Sequence, residues 1–323
     1  MRKNEYGGMA CLLLTAMIWG FSFVSQVAGM DSTSPMFFNA TRFTLGAVSL
    51  LPILLVLHRR RATAEGDADT VPRMTPVPSA RRTVLVSALC GLVLFSASTL
   101  QQYGILYGRS AGRAGFITAL YIVMVPLLAW AFLRRRVTLF TGVAVALAVA
   151  GFYLLCMTDS GGALTLGDAM VFLCAILFAV HILVIDTLAS GIDPVLLSFG
   201  QFVTTALLSW MGSLLEGSVN WSGAADAWLP ILYSGIGSVG IAYTLQVVGQ
   251  QWVPPTRASL IMSLESFFSA VGGALLLGEV MTARGYWGCI LIFVGTVLAQ
   301  LPPRLPRWLS GRKGETADTA HHS

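Results

Sequence analysis

Ten windows of about 20 mainly apolar residues, divided by short polar joints, run the length of the chain, at 8–28, 36–57, 84–106, 113–133, 138–157, 167–187, 194–215, 228–250, 257–278 and 284–301. A helix rises about 1.5 Å per residue, so each window covers roughly the 30 Å of a bilayer core. Backbone in hydrocarbon must pair every N–H and C=O internally, which leaves helices or a closed barrel, and windows of this length are helical. With 55% hydrophobic and 11% charged residues, the 323-residue chain is too apolar for a soluble globule. The predicted fold is all-α and integral to the membrane, with ten transmembrane helices.

Lys and Arg near span ends stay in the cytoplasm, and their distribution orients the chain. With the N-terminus inside, the cytoplasmic joints hold Arg2, Lys3, Arg59, Arg60, Arg61, Arg73, Arg81, Arg82, Arg134, Arg135, Arg136, Arg257, Arg304, Arg307, Arg312 and Lys313. The opposite joints hold Arg109, Arg113 and Arg284, and Arg42 lies within the second span. Sixteen against three predicts a multi-pass protein of the inner (plasma) membrane with both termini cytoplasmic. The net charge of +5 then signals topology and implies no nucleic-acid partner. Residues 8–28 follow two basic residues as in a signal peptide, but the run is long and lacks a small-residue cleavage motif, so it reads as a retained span. Cys11, Cys90, Cys156, Cys174 and Cys289 fall inside spans without paired spacing and read as buried thiols, with no disulfide, metal or cofactor set implied.

The chain repeats itself. RASLIMSLESFFSAVGGALLLG, from Arg257, lies over RAGFITALYIVMVPLLAWAFL, from Arg113, at an offset of 144, which pairs Glu265 with Tyr121. Thr99, Leu100, Gln101 and Gly104 match Thr244, Leu245, Gln246 and Gly249 at 145. Pro35, Arg42 and Phe43 match Pro194, Gln201 and Phe202 at 159, and Ser22 matches His181. The longer joint at 58–82, polar and without apolar periodicity, accounts for the drop from 159 to 145. Five spans per copy is an odd number, so the second copy enters the membrane from the other side. The expected organisation is two inverted five-helix repeats, residues 1–157 with the 58–82 linker and residues 158–303, then a polar cytoplasmic tail at 304–323. Inverted repeats are a recurrent transporter design, with the substrate near the midplane.

Polar residues at depth are the functional candidates, because they are costly there unless they face protein or a wet cavity. Glu265 sits near the middle of the ninth span, and His181 within the sixth; both are proton-coupling candidates. Arg42, about two turns into the second span, either snorkels to the surface or binds a substrate carboxylate. Trp19 and Ser22 in the first span form either a packing site beside Gly20 or a cavity wall. Gln101 and Gln246 either tie helices or present amides to a substrate, and Thr118 and Tyr121 share one face of the fourth span. Pro126 is a candidate kink, and Asp168 suits a helix N-terminus. No GxxxxGK[ST] loop for ATP is present, and no nucleophile–base or metal-ligand spacing can be assembled, so an enzyme is not expected.

WGFSFV from Trp19, Arg42–Phe43, Gly167–Asp168 and SLESFFSAVGGALLLGE from Ser263 together resemble the EamA family of the drug/metabolite transporter superfamily. The resemblance implies a ten-helix bundle of two EamA repeats around a central cavity, exporting amino acids or other small metabolites. The family often has Pro after the ninth-span Glu, where this chain has Ser266. The function expected is a secondary transporter, exporting a small metabolite such as an amino acid by alternating access with proton coupling. The alternatives are a lipid or multidrug flippase of the same superfamily, and an integral-membrane enzyme using His181 and Glu265. The partners expected are a small-molecule substrate and the lipid bilayer, with a homodimer left open.

Overall fold

The computed structural model describes residues 3–65, 79–134, 139–156 and 165–299. All regular elements among them are helical: α1 (Lys3–Gly29), α2 (Pro35–Glu65), α3 (Ala80–Gly108), α4 (Ala111–Thr118), α5 (Tyr121–Leu133), α6 (Leu139–Cys156), α7 (Leu166–Leu188), α8 (Pro194–Leu215), α9 (Trp221–Asp226), α10 (Trp228–Leu232), a π-helix (Tyr233–Tyr243), α11 (Thr244–Gln250), α12 (Pro255–Met262), α13 (Glu265–Leu276) and α14 (Ala283–Ala299). Eight helical stretches are long and apolar enough to cross a membrane, and they fall in the first four windows and the sixth to ninth. The fifth and tenth windows hold shorter apolar helices, Gly142–Leu154 and Ala283–Gly295, on α6 and α14, which pack against each other. Helix α2 outruns its window by a turn and more, because the Ala and Arg residues up to Glu65 are good helix formers, so the expected 58–82 linker is helical at its start. Residues 66–78 of that linker, and the tail 304–323, lie outside the described residues.

Local chemistry fixes the helix starts. Ser79 caps α3 and Ser110 caps α4 by accepting from backbone N–H groups. Thr165 and Asp168 form a reciprocal capping box on α7, and Asp193 caps α8 ahead of Pro194.

The helices pack in related pairs. Helix α3 lies along α7 as the π-helix and α11 lie along α1, and α3 meets α8 as the π-helix meets α2. Helices α4 and α5 pack on α7 as α12 and α13 pack on α1, while α2 meets α8 and α6 meets α14 across the bundle. The glycine seams correspond residue by residue. A methyl on Gly104 would lie 2.9 Å from Gly167 O, and one on Gly249 would lie 3.0 Å from Gly8 O. Likewise Gly151 abuts Gly288 O and Ile292, and Gly295 abuts Ala144 O and Ala148. Small residues at such crossings let backbones touch, and in lipid this packing drives helix association.

Gly20 admits α13: a Cβ there would sit 2.3 Å from Phe268 Cβ and 2.8 Å from Glu265 O, and backbone cannot yield cheaply. Gly20→Ala is expected to cost about 1–3 kcal/mol by overpacking, read as a lowered Tm of the purified protein in detergent. A Tm equal to wild type would show that α1 and α13 are free to separate.

Both helical breaks in the long spans fall at the same place in the repeat. Helix α4 ends at Thr118 and α5 begins at Tyr121; α12 ends at Met262 and α13 begins at Glu265, all shifted by 144. Each break is a local tightening, with Leu120 N bonded to Ile117 O and Leu264 N to Ile261 O, three residues back in place of four. Pro126 therefore does not set the break in its span; it lies inside α5, beyond it. In the ninth span serines support the tightened turn: Ser263 Oγ bonds Leu260 O at 2.7 Å, and Ser266 Oγ bonds Ser263 O at 2.8 Å. Such back-bonding bends helices without a proline, which is how the span breaks with Ser266 after Glu265.

Candidate functional site

The two breaks, with α1, α2, α3, α7, the π-helix and α11, enclose one cavity. Trp19, Ser22, Arg42, Gln101, Thr118, Tyr121, Gln246 and Glu265 all line it. His181 does not. It lies behind the wall, with Nε2 2.9 Å from Gln201 Oε1 and its ring edge-on to Tyr243. The space open to water centres is about 30 Å³, room for about two waters.

Helix geometry explains the assembly. Trp19, Ser22, Phe23 and Gln26 follow one another at helical spacing on α1 and share the cavity face. Arg42 does not snorkel: it is 3% exposed, with its guanidinium 5.1 Å from the Phe43 ring centroid and 5.6 Å from that of Phe38. Gln101 donates to Thr118 Oγ1 at 3.3 Å and lines the cavity. The Tyr121 hydroxyl neighbours the Glu265 carboxyl but falls outside hydrogen-bond geometry. Six lining atoms consequently have no protein partner: Ser22 Oγ, Gln26 Oε1, Arg42 Nε, Tyr121 Oη, Gln246 Oε1 and Glu265 Oε1. Ten other buried polar atoms among the described residues are also unpartnered, so what distinguishes the cavity is that Arg42 and Glu265 are among its six, and a guanidinium and a carboxyl facing one space point to a polar occupant.

The sequence reading missed Gln26, Phe178, Ile182, Ser238 and Tyr243, which complete the wall with Phe23. Gln26 was signalled by its place one turn beyond Ser22. Tyr243, next to Thr244 in the repeat, carried no aromatic signal at its partner position, Ser98.

Polar contacts close the two ends of the bundle unequally. At the end carrying the α3–α4 joint, Arg113 clasps Asp168 with two bonds of 2.7 and 2.6 Å, and Arg109 meets Asp31 at 2.6 Å. Glu279 accepts from Ala111 N at 2.6 Å, Gly112 N at 3.1 Å and Ser110 Oγ at 2.9 Å, seating the start of α4 on the end of α13. Tyr103 donates to Glu216 nearby. At the opposite end the repeat partner of Arg113, Arg257, meets Glu5 at 2.7 Å in an exposed pair. Among the described residues no cluster of His, Cys, Asp and Glu could hold a metal ion.

Known proteins bear on this geometry. A solved crystal structure superposes with a TM-score of 0.62, covering 91% of this chain and 96% of that one at 20% identity, which shows the fold is shared. An uncharacterized transporter of Archaeoglobus fulgidus is 26% identical over 93% of this chain and 87% of its own length. An uncharacterized transporter of Bacillus subtilis, YwfM, is 24% identical over the full length of both. The threonine/homoserine exporter RhtA of Escherichia coli is 26% identical over 72% of this chain and 85% of its own. The sequence profile of the EamA-like transporter family matches twice, over residues 7–157 and again over 165–301. With two matches spanning nearly the whole helical bundle, this chain belongs to the EamA-like transporter family.

Proposed function

We propose that the chain exports a small polar metabolite of the amino-acid class, by alternating access of two inverted repeats, 1–157 and 158–303, in exchange for protons at Glu265. The observation that carries this reading is the set of six unpartnered polar atoms around one cavity, with a guanidinium and a carboxyl among them. A zwitterion offers its carboxylate to Arg42 and its ammonium to Glu265, complementing both without importing net charge. The mirrored packing pairs and glycine seams support the repeat, and the odd number of spans per copy supports its inversion. Arg113 and Arg257 are repeat partners on opposite ends, each paired with a carboxylate near the start of α7 or α1, Asp168 and Glu5, as gates for alternating access require. In this reading both termini are cytoplasmic, so the Arg257 end faces the cytoplasm. The relationship to RhtA adds the amino-acid class and the outward direction.

The test is a thermal-shift screen of purified protein against metabolites, followed by flux in sealed vesicles. Ligand binding at about 100 times Kd stabilises by about 2.7 kcal/mol, a shift of several degrees. Amino acids are expected to raise Tm, and Arg42→Ala to remove most of the shift. A library in which no amino acid shifts the wild-type Tm while apolar drugs or lipids do would replace this reading with that of a flippase or drug pump.

A further inference from the structure

The eighth span contains a π-helix of 11 residues, Tyr233–Tyr243, where its repeat partner, the third span, is α-helical throughout. The register of the repeat explains it. Gly91 abuts Gln201 O and Thr204, and Gly235 abuts the equivalent Arg42 O and Leu45. At the other end Gly104 abuts Gly167 O and Val171, and Gly249 the equivalent Gly8 O and Leu12. Gly91 and Gly104 are 13 residues apart, whereas Gly235 and Gly249 are 14 apart. The eighth span thus fits one extra residue between the same two seams, and the wider π turn absorbs it. This is also why the repeat offset passes from 144 at Gly235 to 145 at Gln246.

The extra residue changes what faces the cavity. From the third span Gln101 alone lines it, whereas the eighth offers Ser238, Tyr243 and Gln246. Ser238 and Tyr243 are five residues apart, which places them on one face of a π-helix but well over 100° apart around an α-helix. Both are clasped by Trp19, whose Nε1 donates to Ser238 O at 3.3 Å and whose ring meets that of Tyr243 edge-on at 4.6 Å. Thr15 Oγ1 holds the next turn by donating to Ala242 O at 3.0 Å. The Tyr243 hydroxyl lies within electrostatic reach of both Arg42 and Glu265.

We propose that the π-helix is the substrate-selecting wall of the cavity, and that Tyr243, held on the cavity face by the one-residue insertion, is a specificity-determining contact between the Arg42 and Glu265 ends of the substrate. This rests on the transport reading above. π turns recur at functional positions because they present side chains that an α-helix turns away, and the cost of the irregular backbone is met here by the contacts from Thr15 and Trp19.

The experiment is counterflow of the radiolabelled proteinogenic L-amino acids into vesicles holding the purified full-length protein, with unlabelled amino acids as competitors. Tyr243→Phe keeps the ring and its packing and removes one hydroxyl. It is expected to raise KM about fivefold to tenfold with turnover at saturation unchanged, and to reorder the competitors. Deletion of Gly237, which is half-buried and packs loosely, restores the spacing of 13 and with it an α-helix seated on both seams. The deletion protein is expected to stay monodisperse with wild-type helix content, and to lose at least about tenfold in kcat/KM. A Tyr243→Phe protein with wild-type KM and competitor order overturns the inference and leaves the transport reading standing. Wild-type vesicles that show no counterflow of any amino acid overturn both.

Discussion

Glu265→Gln is expected to abolish accumulation driven by a proton gradient while substrate still equilibrates at equal pH, with a raised KM because the ammonium loses its charged partner. In vesicles with the cytoplasmic face outward and a lumen 2 pH units more acid, one-for-one exchange of protons for substrate supports a lumenal excess of about 100-fold, since each unit is worth about 1.36 kcal/mol. Glutamine occupies the same place at the start of α13 and offers an oxygen where Glu265 Oε1 stands without a partner, so the cavity keeps its shape. It cannot take up and release a proton. The ratio therefore falls to about 1, although labelled substrate still equilibrates. A variant that accumulates like wild type removes Glu265 from the coupling mechanism and leaves it a helix-break residue.

Asp168→Ala is the substitution expected to cost most stability. The Asp168 side chain is 3% exposed and does two things at once: it clasps Arg113, itself 20% exposed, and it closes the capping box with Thr165 N and Oγ1 at 3.0 and 2.6 Å. Removing one member of a buried pair strands the other charge, and removing a cap frees a backbone N–H, together about 3 kcal/mol. Thermal unfolding in detergent checks it. The double variant Arg113→Met/Asp168→Leu, which removes both charges and fills the space, recovers much of the loss in Tm. An Asp168→Ala protein melting with wild type would mean that the clasp adds nothing to the folded state.

The spans were legible because hydrocarbon imposes so strong a rule: 20 apolar residues in a row have few other uses. Depth and register also drew attention to Tyr121 and Glu265 as partners, and the two helical breaks fall just before these residues. Less could be read where the determinant is a contact between distant segments. Asp168 could be read as a helix N-terminal residue but not as half of a clasp, because its partner, Arg113, lies 55 residues away in another span. Glu279 stands in the sequence only as the last residue of the ninth-span motif, though it seats α4 on α13. His181 Nε2 and Gln201 Oε1 pair behind the wall, leaving His181 Nδ1 and Gln201 Nε2 without partners, and depth alone cannot distinguish this placement from exposure to the cavity. Pro126 was a misleading kink signal, since i-to-i+3 bonds at Ala119–Leu120 break the span first. The π-helix left a trace in the sequence, a one-residue change of offset, which became interpretable once the glycine seams had fixed both ends of the eighth span.

The pairing of helices across the two copies has a consequence for how the chain matures. Helix α1 finds its neighbours in the π-helix, α11, α12 and α13, and α7 finds its own in α3, α4 and α5. Each half lends its first helix to the other, so neither half has a complete packing surface of its own. During synthesis α1 waits in lipid for these partners until sequence more than 200 residues downstream of it has been inserted. Assembly is then dominated by distant partners, which slows folding and lengthens exposure to wrong ones. The two halves, expressed as separate chains, should be rescued by each other's presence and degraded in its absence.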